Sequence, residues 1–207
     1  MKILKIKSLA IPDVKVIRFA RFADERGYFT ETYRFSDMHH PSIGFLRDVV
    51  FLQQNESRSV TGVVRGLHFQ WNPPMGKLIR TVRGRMIDLV MDIRKNSPTR
   101  GKIIAYDMPD DPKTPYGEWI WVPGGFAHGN FFTAETTIEY FCNAEYKPDC
   151  ESGICPLSPD IDWSLCDPVL KKEFDDLVAH APIMSDKDRN GQSLGGWLSD
   201  ERSKNFM

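Results

Sequence analysis

Between residues 48 and 138 the sequence consists almost entirely of short segments rich in apolar and β-branched residues, separated by turn signals. The turn signals are clusters rich in Asn, Ser, Gly and Pro, and they lie at residues 55–59, 71–76, 83–84, 96–101 and 109–117. Short strands at such spacing, without helical periodicity between them, are typical of a β-sandwich or barrel. We therefore predict an all-β fold for most of the chain.

The composition allows one domain of ordinary size, since 41% of the 207 residues are hydrophobic and 12% are aromatic. A formal net charge of -1 removes the electrostatic basis for non-specific binding to nucleic acid or membrane, so we expect a small-molecule partner. The first ten residues alternate lysine with apolar residues, unlike a signal peptide, and no segment approaches membrane-spanning length. These features predict a cytoplasmic protein with no membrane partner, in which the four cysteines should be reduced thiols. The cysteines form no C-x-x-C pair, so we expect no metal bound to them.

Helical signals are few and lie mainly near the C-terminus. Residues 36–40 can form a single helical turn before a proline. Beyond the strand-rich region the composition shifts toward Pro, Asp, Ser and Cys, which predicts irregular cover on the barrel. One helix follows, with Asp167 as N-cap, Pro168 at its first position and a stop at Pro182. Residues 189–207 are rich in glycine and charge, and we expect them to form a flexible tail.

Two strand patterns carry further expectations. Residues 21–31 place a charged turn ending in glycine between two short strands, which is typical of a hairpin. Residues 87–93 alternate, with apolar side chains at the odd positions, so we expect one face of this strand in the core. Asp92 and Arg94 could form a polar cluster or lie on an exposed face, and an exposed face is the commoner arrangement. Together with the helix, these elements predict a single barrel domain over residues 1–188.

Four side chains could together perform proton transfer at a carbon beside a ketone. His68 is an imidazole within an otherwise apolar strand, and its ordinary pKa of about 6.5 suits a general base near neutral pH. Lys77 could stabilise an enolate oxygen, and the phenol of Tyr140 could return the proton from the opposite side. Asp188 could orient the imidazole. Taken singly, each is more often a structural residue, and periodicity alone cannot bring them together.

Five motifs occur in order along the chain. They are Arg65-Gly66-Leu67-His68-Phe69-Gln70, Lys77-Leu78-Ile79-Arg80, Asp92-Ile93-Arg94 with Ser97-Pro98-Thr99, Pro123-Gly124-Gly125-Phe126-Ala127-His128-Gly129, and Ser185-Asp186-Lys187-Asp188. Together they resemble the dTDP-4-dehydrorhamnose 3,5-epimerase family. The resemblance implies a jelly-roll (cupin) barrel, a homodimer that exchanges N-terminal strands, and no cofactor or metal. The implied activity is epimerisation at C3, or at C3 and C5, of a nucleotide-linked 4-keto-6-deoxy-hexose, with dTDP as the expected nucleotide.

The same resemblance implies roles for individual residues. His68 would be the base with Asp188 as its partner, Tyr140 the general acid, and Lys77 the contact to the sugar ketone. The early hairpin would reach the nucleotide end of the partner's site through Phe22, Arg26, Phe29 and Glu31. Other positions that match ligand contacts are Gln53, Asn55, Arg65, His128, Tyr146 and Glu151, with a structural or supporting role for His128.

Two features of the sequence bear on how far the resemblance extends. In a regular strand Arg65 and His68 face opposite sides, so both can reach one ligand only if the chain bulges near Gly66, and we predict a bulge there. The chain departs from the family pattern at residues 154–159 and at Asn130, where an aromatic residue is usual. These departures leave open the exact substrate and the number of carbons epimerised.

Three alternative functions remain. A nucleotide-sugar 3,4-ketoisomerase would use the same barrel. A metal-dependent cupin oxygenase or isomerase is disfavoured because it needs two closely spaced histidines and a carboxylate, whereas only His68 and His128 are candidates. A non-catalytic nucleotide-sugar binding protein is disfavoured because all four candidate catalytic residues are present.

Overall fold

The computed structural model describes all 207 residues and is built around two antiparallel sheets that pack face to face. The strands are β1 (Ile3–Ser8), β2 (Lys15–Ala20), β3 (Phe22–Asp24), β4 (Gly27–Phe29), β5 (Gln53–Ser59), β6 (Val64–Gln70), β7 (Lys77–Arg83), β8 (Arg85–Asp92), β9 (Ile103–Pro109), β10 (Tyr116–Val122), β11 (Phe126–Phe131), β12 (Thr136–Cys142) and β13 (Glu151–Gly153). One sheet has the order β1-β2-β10-β7-β12-β5, the other β13-β6-β11-β8-β9, and β3 pairs only with β4. This is a jelly-roll barrel of the cupin type, as the sequence predicted.

Side chains from both sheets fill the barrel interior. Along β11, successive side chains point alternately into the barrel and away from it. Phe126 and, just beyond the strand, Phe132 belong to the buried cluster between the sheets, whereas Ala127 and Phe131 belong to a second cluster behind the five-stranded sheet. Because side chains alternate along a strand, His128 and Asn130 share the inward face with Phe126. Two polar side chains of β11 therefore point into the barrel.

The C-terminal part of the chain covers the outer face of the five-stranded sheet. It contains the helices α2 (Pro168–Ala179), α3 (Asp186–Arg189) and α4 (Leu194–Ser199) and a 3-10 helix at Glu201–Asn205. As predicted, Asp167 caps α2, its side chain accepting a hydrogen bond from the backbone N–H of Val169 at 2.8 Å. Leu170 and Phe174 are the buried residues of this helix.

The expectation of a flexible tail over residues 189–207 is wrong. Trp197 is fully buried, its ring lying 4.4 Å from that of Phe69 and 6.0 Å from those of Trp71 and Phe206. Leu194 and Phe206 are buried in the same cluster. Burying a large aromatic side chain contributes about 2–3 kcal/mol, which fixes this segment on β6.

The expected core face of β8 is confirmed, and the opposite face of this strand is buried as well. Its odd residues pack under the C-terminal cover, and its even residues face the barrel interior, so Asp88 and Asp92 are fully buried. Asp92 accepts hydrogen bonds from the side chains of Arg94, Ser97 and Thr99. Asp92 and Arg94 thus form an internal polar cluster and not an exposed face.

Helical segments near the N-terminus cover the outer face of the six-stranded sheet. The predicted turn is α1 (Phe35–Met38), and Pro41 begins a 3-10 helix over Pro41–Leu46. Met38 and Leu46 are buried against this sheet. None of the helices in the structure is both long and apolar enough to cross a bilayer.

The predicted hairpin is present as β3 and β4, with Phe22 opposite Phe29 and Asp24 opposite Gly27. It projects from the protomer. Phe22 and Phe29 are 51% and 67% exposed, which is unusual for aromatic side chains so close together.

Candidate active site

Two adjoining cavities, with volumes of about 380 and 360 Å³, lie in the opening between the two sheets. His68 on β6, Lys77 on β7 and Tyr140 on β12 line both of them. Asp188, delivered by α3, lines the larger one. The structure therefore brings the four candidate catalytic residues together, although they are distant in sequence.

A bulge in β6 turns two of its side chains toward the larger cavity. The pairing of β6 with β11 matches His68 to His128 and Arg65 to Asn130, so β6 has one residue more than β11 between these rungs. Gly66 lies in this stretch with a φ of 110°, and a Cβ there would come within 2.6 Å of the Cα of Gly129. The predicted bulge is confirmed, and both Arg65 and His68 line the cavity.

The imidazole of His68 is held by a carboxylate. Its Nε2 lies 2.5 Å from Oδ1 of Asp188, and the Asp188 backbone N–H donates to the hydroxyl of Ser185, the N-cap of α3, at 3.1 Å. Burial acts to raise the pKa of Asp188, but hydrogen bonds from His68 and Ser185 outweigh it and hold the pKa below its usual value. When Nε2–H donates to this carboxylate, Nδ1 carries the lone pair, which is the arrangement of a general base.

Lys77 and Tyr140 place a positive charge and a phenol in the same cavities. Burial lowers the pKa of Lys77, and the negative charges of Glu151 and Asp88 offset this only in part. Burial raises the pKa of Tyr140, so the phenol stays protonated near neutral pH. The cavities thus contain a candidate base, a phenol that can donate a proton, and a lysine that stabilises an oxyanion when it is protonated.

A second His–Asp pair lies beside the first. Nε2 of His128 is 2.7 Å from Oδ1 of Asp88, while Oδ2 of Asp88 is buried without a hydrogen-bond partner. His128 lines the larger cavity, opposite His68 on the neighbouring strand. Asp88 was not predicted from the sequence, although a carboxylate in the middle of an apolar strand is a signal of a buried polar contact.

The smaller cavity is walled by four of the residues that the family resemblance selected, namely Gln53, Asn55, Tyr146 and Glu151. Glu151 accepts hydrogen bonds from the ammonium of Lys187 and, at 2.9 Å, from the hydroxyl of Tyr146. Burial acts to raise the pKa of Glu151, but these bonds lower it below its usual value. Lys187, which also lines the larger cavity, was not singled out from the sequence although it precedes Asp188 in the quoted motif.

The hairpin residues Phe22, Arg26, Phe29 and Glu31 line neither cavity of their own protomer. Arg26 pairs with Asp24 at 2.6 Å, and Glu31 pairs with Arg34 and with the N-terminal amine. No group of three or more His, Cys, Asp and Glu side chains is arranged to hold a metal ion.

Comparisons with known proteins give a consistent picture. The family model described as dTDP-4-dehydrorhamnose 3,5-epimerase matches residues 8–195. A protein of that name from Methanothermobacter thermautotrophicus is 40% identical over 176 residues, covering 84% of this chain and 85% of its relative. The structure is similar, with a TM-score of 0.79 and 30% identity over 96% of each chain, to dTDP-6-deoxy-D-glucose-3,5-epimerase from Legionella pneumophila in complex with dTDP-4-keto-L-rhamnose. It is also similar to a 3'-monoepimerase from Streptomyces bikiniensis in complex with dTDP-quinovose, with a TM-score of 0.71 and 25% identity over 94% of this chain and 88% of the other.

Proposed function

Because the chain belongs to the dTDP-4-dehydrorhamnose 3,5-epimerase family, we propose that it inverts C3, or C3 and C5, of a dTDP-linked 4-keto-6-deoxy-hexose without a cofactor. Family membership makes the protein an isomerase that acts on a 4-keto-6-deoxy sugar. The observation that carries the residue assignment is the His68–Asp188 pair, which opens onto cavities shared with Lys77 and Tyr140.

In the proposed reaction His68 removes the proton from the carbon next to the C4 ketone. The electron pair of the broken C–H bond moves to the ketone oxygen, giving an enolate that the ammonium of Lys77 stabilises, a contribution of about 3 kcal/mol for one such donor. The carboxylate of Asp188 stabilises the imidazolium. Tyr140 then donates its proton to the opposite face of the same carbon, which re-forms the C–H bond with inverted configuration and returns the ketone.

The test is incubation of the protein with dTDP-4-keto-6-deoxy-glucose in D2O, followed by NMR of the product. Deuterium at C3 alone, or at C3 and C5, counts the inverted centres, and a ketone that stays at C4 separates epimerisation from 3,4-ketoisomerisation. Absence of deuterium from every ring carbon would refute the proposed function. Exchange and turnover that survive intact in His68→Asn would refute the role given to His68.

We also propose a homodimer in which the hairpin of each protomer completes the site of the other. This rests on the exposed aromatic side chains of Phe22 and Phe29 and on the absence of all four hairpin candidates from their own cavities. Covering such a patch removes apolar surface from water, as a symmetric partner would. A single protomer would then hold an incomplete nucleotide end of the site.

Mixing two inactive variants tests this exchange. Arg26→Ala and His68→Asn each disable one side of the shared site, so a mixed dimer contains one site with both side chains intact. After denaturation and refolding together in equal amounts, we expect about one quarter of wild-type activity from random pairing. Activity that equals the mean of the two separate variants, or a monomer by light scattering, would contradict the exchange.

We propose that the enzyme works in the cytoplasm. Its four cysteines are unpaired, and burial raises the pKa of the thiols of Cys142 and Cys166. Unpaired thiols of this kind are characteristic of a reducing compartment. Fractionation of cells that express the full chain tests this directly.

A further inference from the structure

Asn130 presents a carboxamide to the larger cavity. It lies on β11, one inward-facing position beyond His128, and its backbone is held between β6 and β8, opposite Arg65 and Asp88. Only 4% of the residue is exposed. Because strands bond on both sides of β11, the direction of this side chain is fixed by the sheet.

The protein leaves this carboxamide poorly satisfied. Its one hydrogen bond within the chain runs from Nδ2 to the sulfur of Met86 at 3.6 Å, and its oxygen has no donor. A thioether is a weak acceptor, whereas a carboxamide offers two donors and an acceptor with two lone pairs. Polar groups in a protein interior are nearly always paired, so an amide oxygen that no donor of the chain reaches, on the wall of a cavity, indicates a partner that enters the cavity.

We propose that Asn130 is a specificity-determining residue that binds the C2 hydroxyl of the sugar. This inference rests on the proposed function. In a 4-keto-6-deoxy-hexose linked through C1, the only free hydroxyls are those on C2 and C3, and the C3 hydroxyl moves when that carbon is inverted. The C2 hydroxyl stays in place throughout, and it can both donate to and accept from a carboxamide, so it suits a fixed anchor.

The experiment compares two substrates on the same enzyme, dTDP-4-keto-6-deoxy-glucose and its 2-deoxy analogue. We expect wild type to prefer the hydroxylated substrate by about 10- to 100-fold in kcat/KM, and Asn130→Leu to reduce this preference to within about threefold of unity. Because the ratio is taken on one preparation, a fraction of misfolded variant does not change it. Met86→Leu is the matched control, since it removes the sulfur contact but keeps the carboxamide, and its ratio should equal that of wild type.

Equal losses on both substrates in Asn130→Leu, or a wild type that does not distinguish them, would overturn the inference while the proposed function stands. If wild type incorporates deuterium into neither substrate, the proposed function fails and this inference fails with it. Loss of the preference in Met86→Leu would assign the discrimination to packing around residue 86 and would also overturn the role of Asn130.

Discussion

The two His–Asp pairs of the barrel form similar hydrogen bonds in different surroundings. His68 and Asp188 lie 2.5 Å apart with side chains 28% and 6% exposed, whereas His128 and Asp88 lie 2.7 Å apart with side chains 9% and 0% exposed. Asp88 belongs to the same sheet as its histidine, while Asp188 comes from the cover that packs behind that sheet. Both histidines line the larger cavity, so the proposed roles differ because the imidazole of His68 is more open to a ligand than that of His128.

The largest expected effect is a loss of kcat that is much greater when His68 is replaced than when His128 is replaced. Loss of a general base typically costs about 10²- to 10⁴-fold in rate, so we expect His68→Asn to lose that much in kcat while its unfolding free energy changes little. His128→Asn should lose far less in kcat because His128 moves no proton in the proposed reaction. Steady-state kinetics with circular dichroism on both variants makes the comparison. Equal losses in kcat would erase the distinction between the pairs.

The second expected effect is a loss of unfolding free energy that is greater when Asp88 is replaced than when Asp188 is replaced. Asp88→Ala leaves the nearly buried imidazole of His128 without its acceptor, and an unsatisfied buried group costs about 1–3 kcal/mol of unfolding free energy. In Asp188→Ala, water can reach the more exposed His68, so we expect the smaller loss of stability. Urea denaturation of both variants measures the difference, and a greater destabilisation in Asp188→Ala would reverse our assignment.

The third effect tests how much displacement of the His68 imidazole the reaction tolerates. Gly153 on β13 lies opposite His68, and a Cβ there would stand 3.1 Å from Cδ2 of the imidazole, which must shift by a few tenths of an ångström. We expect Gly153→Ala to lower kcat by about 2- to 10-fold, since misplacement of a catalytic group weakens proton transfer. Gly195→Ala is the matched control because the nearest atom to its added Cβ is 3.5 Å away. A Gly153→Ala enzyme as active as the control would mean that the imidazole tolerates displacement.

The smallest expected effect is a shift in the pH dependence of activity, because the charge of Asp88 acts on the pKa of Lys77. Burial lowers the pKa of Lys77 below its ordinary 10.5, while the charges of Glu151 and Asp88 raise it and that of Lys187 lowers it. If charged Lys77 is required, activity falls as the pH rises through this lowered pKa. Asp88→Asn removes a negative charge, lowers the pKa of Lys77 further and should move the alkaline limb of kcat/KM to lower pH. In Lys77→Arg the guanidinium keeps its proton, so the Lys77 limb should disappear; its persistence would exclude Lys77 as its source.

Much of the fold and part of the site follow from local sequence. Strand spacing was enough to predict a sandwich or barrel, and the family resemblance narrowed this to a jelly roll. The bulge at Gly66 was predicted because the resemblance required Arg65 and His68, which face opposite sides of a regular strand, to reach one ligand. Asp88 was missed because its partner His128 is 40 residues away, and only the register of β8 with β11 brings the two together. Pairing across strands is a tertiary property that a period-two pattern does not encode.

The packing of residues 189–207 was not predicted, for a related reason. Leu194, Trp197 and Phe206 are single apolar residues among polar and glycine residues, so they form no run that signals a packed element. The burial of Asp92 has a different cause, because the even positions of β8 face the opposite sheet across the barrel interior. Local patterns show which strand positions are apolar, but not which distant segment will cover them.

During synthesis, the His68–Asp188 pair can form only after the C-terminal cover has been made and has docked on the barrel. His68 on β6 is synthesised before strands β7 to β12 of the barrel. Asp188 is synthesised only with the final helices. Those helices are anchored by Trp197 against Phe69, on the strand that carries the imidazole. A nascent barrel therefore lacks Asp188 and exposes the surface that receives Trp197, and docking of the final helices both completes the His68–Asp188 pair and covers that surface.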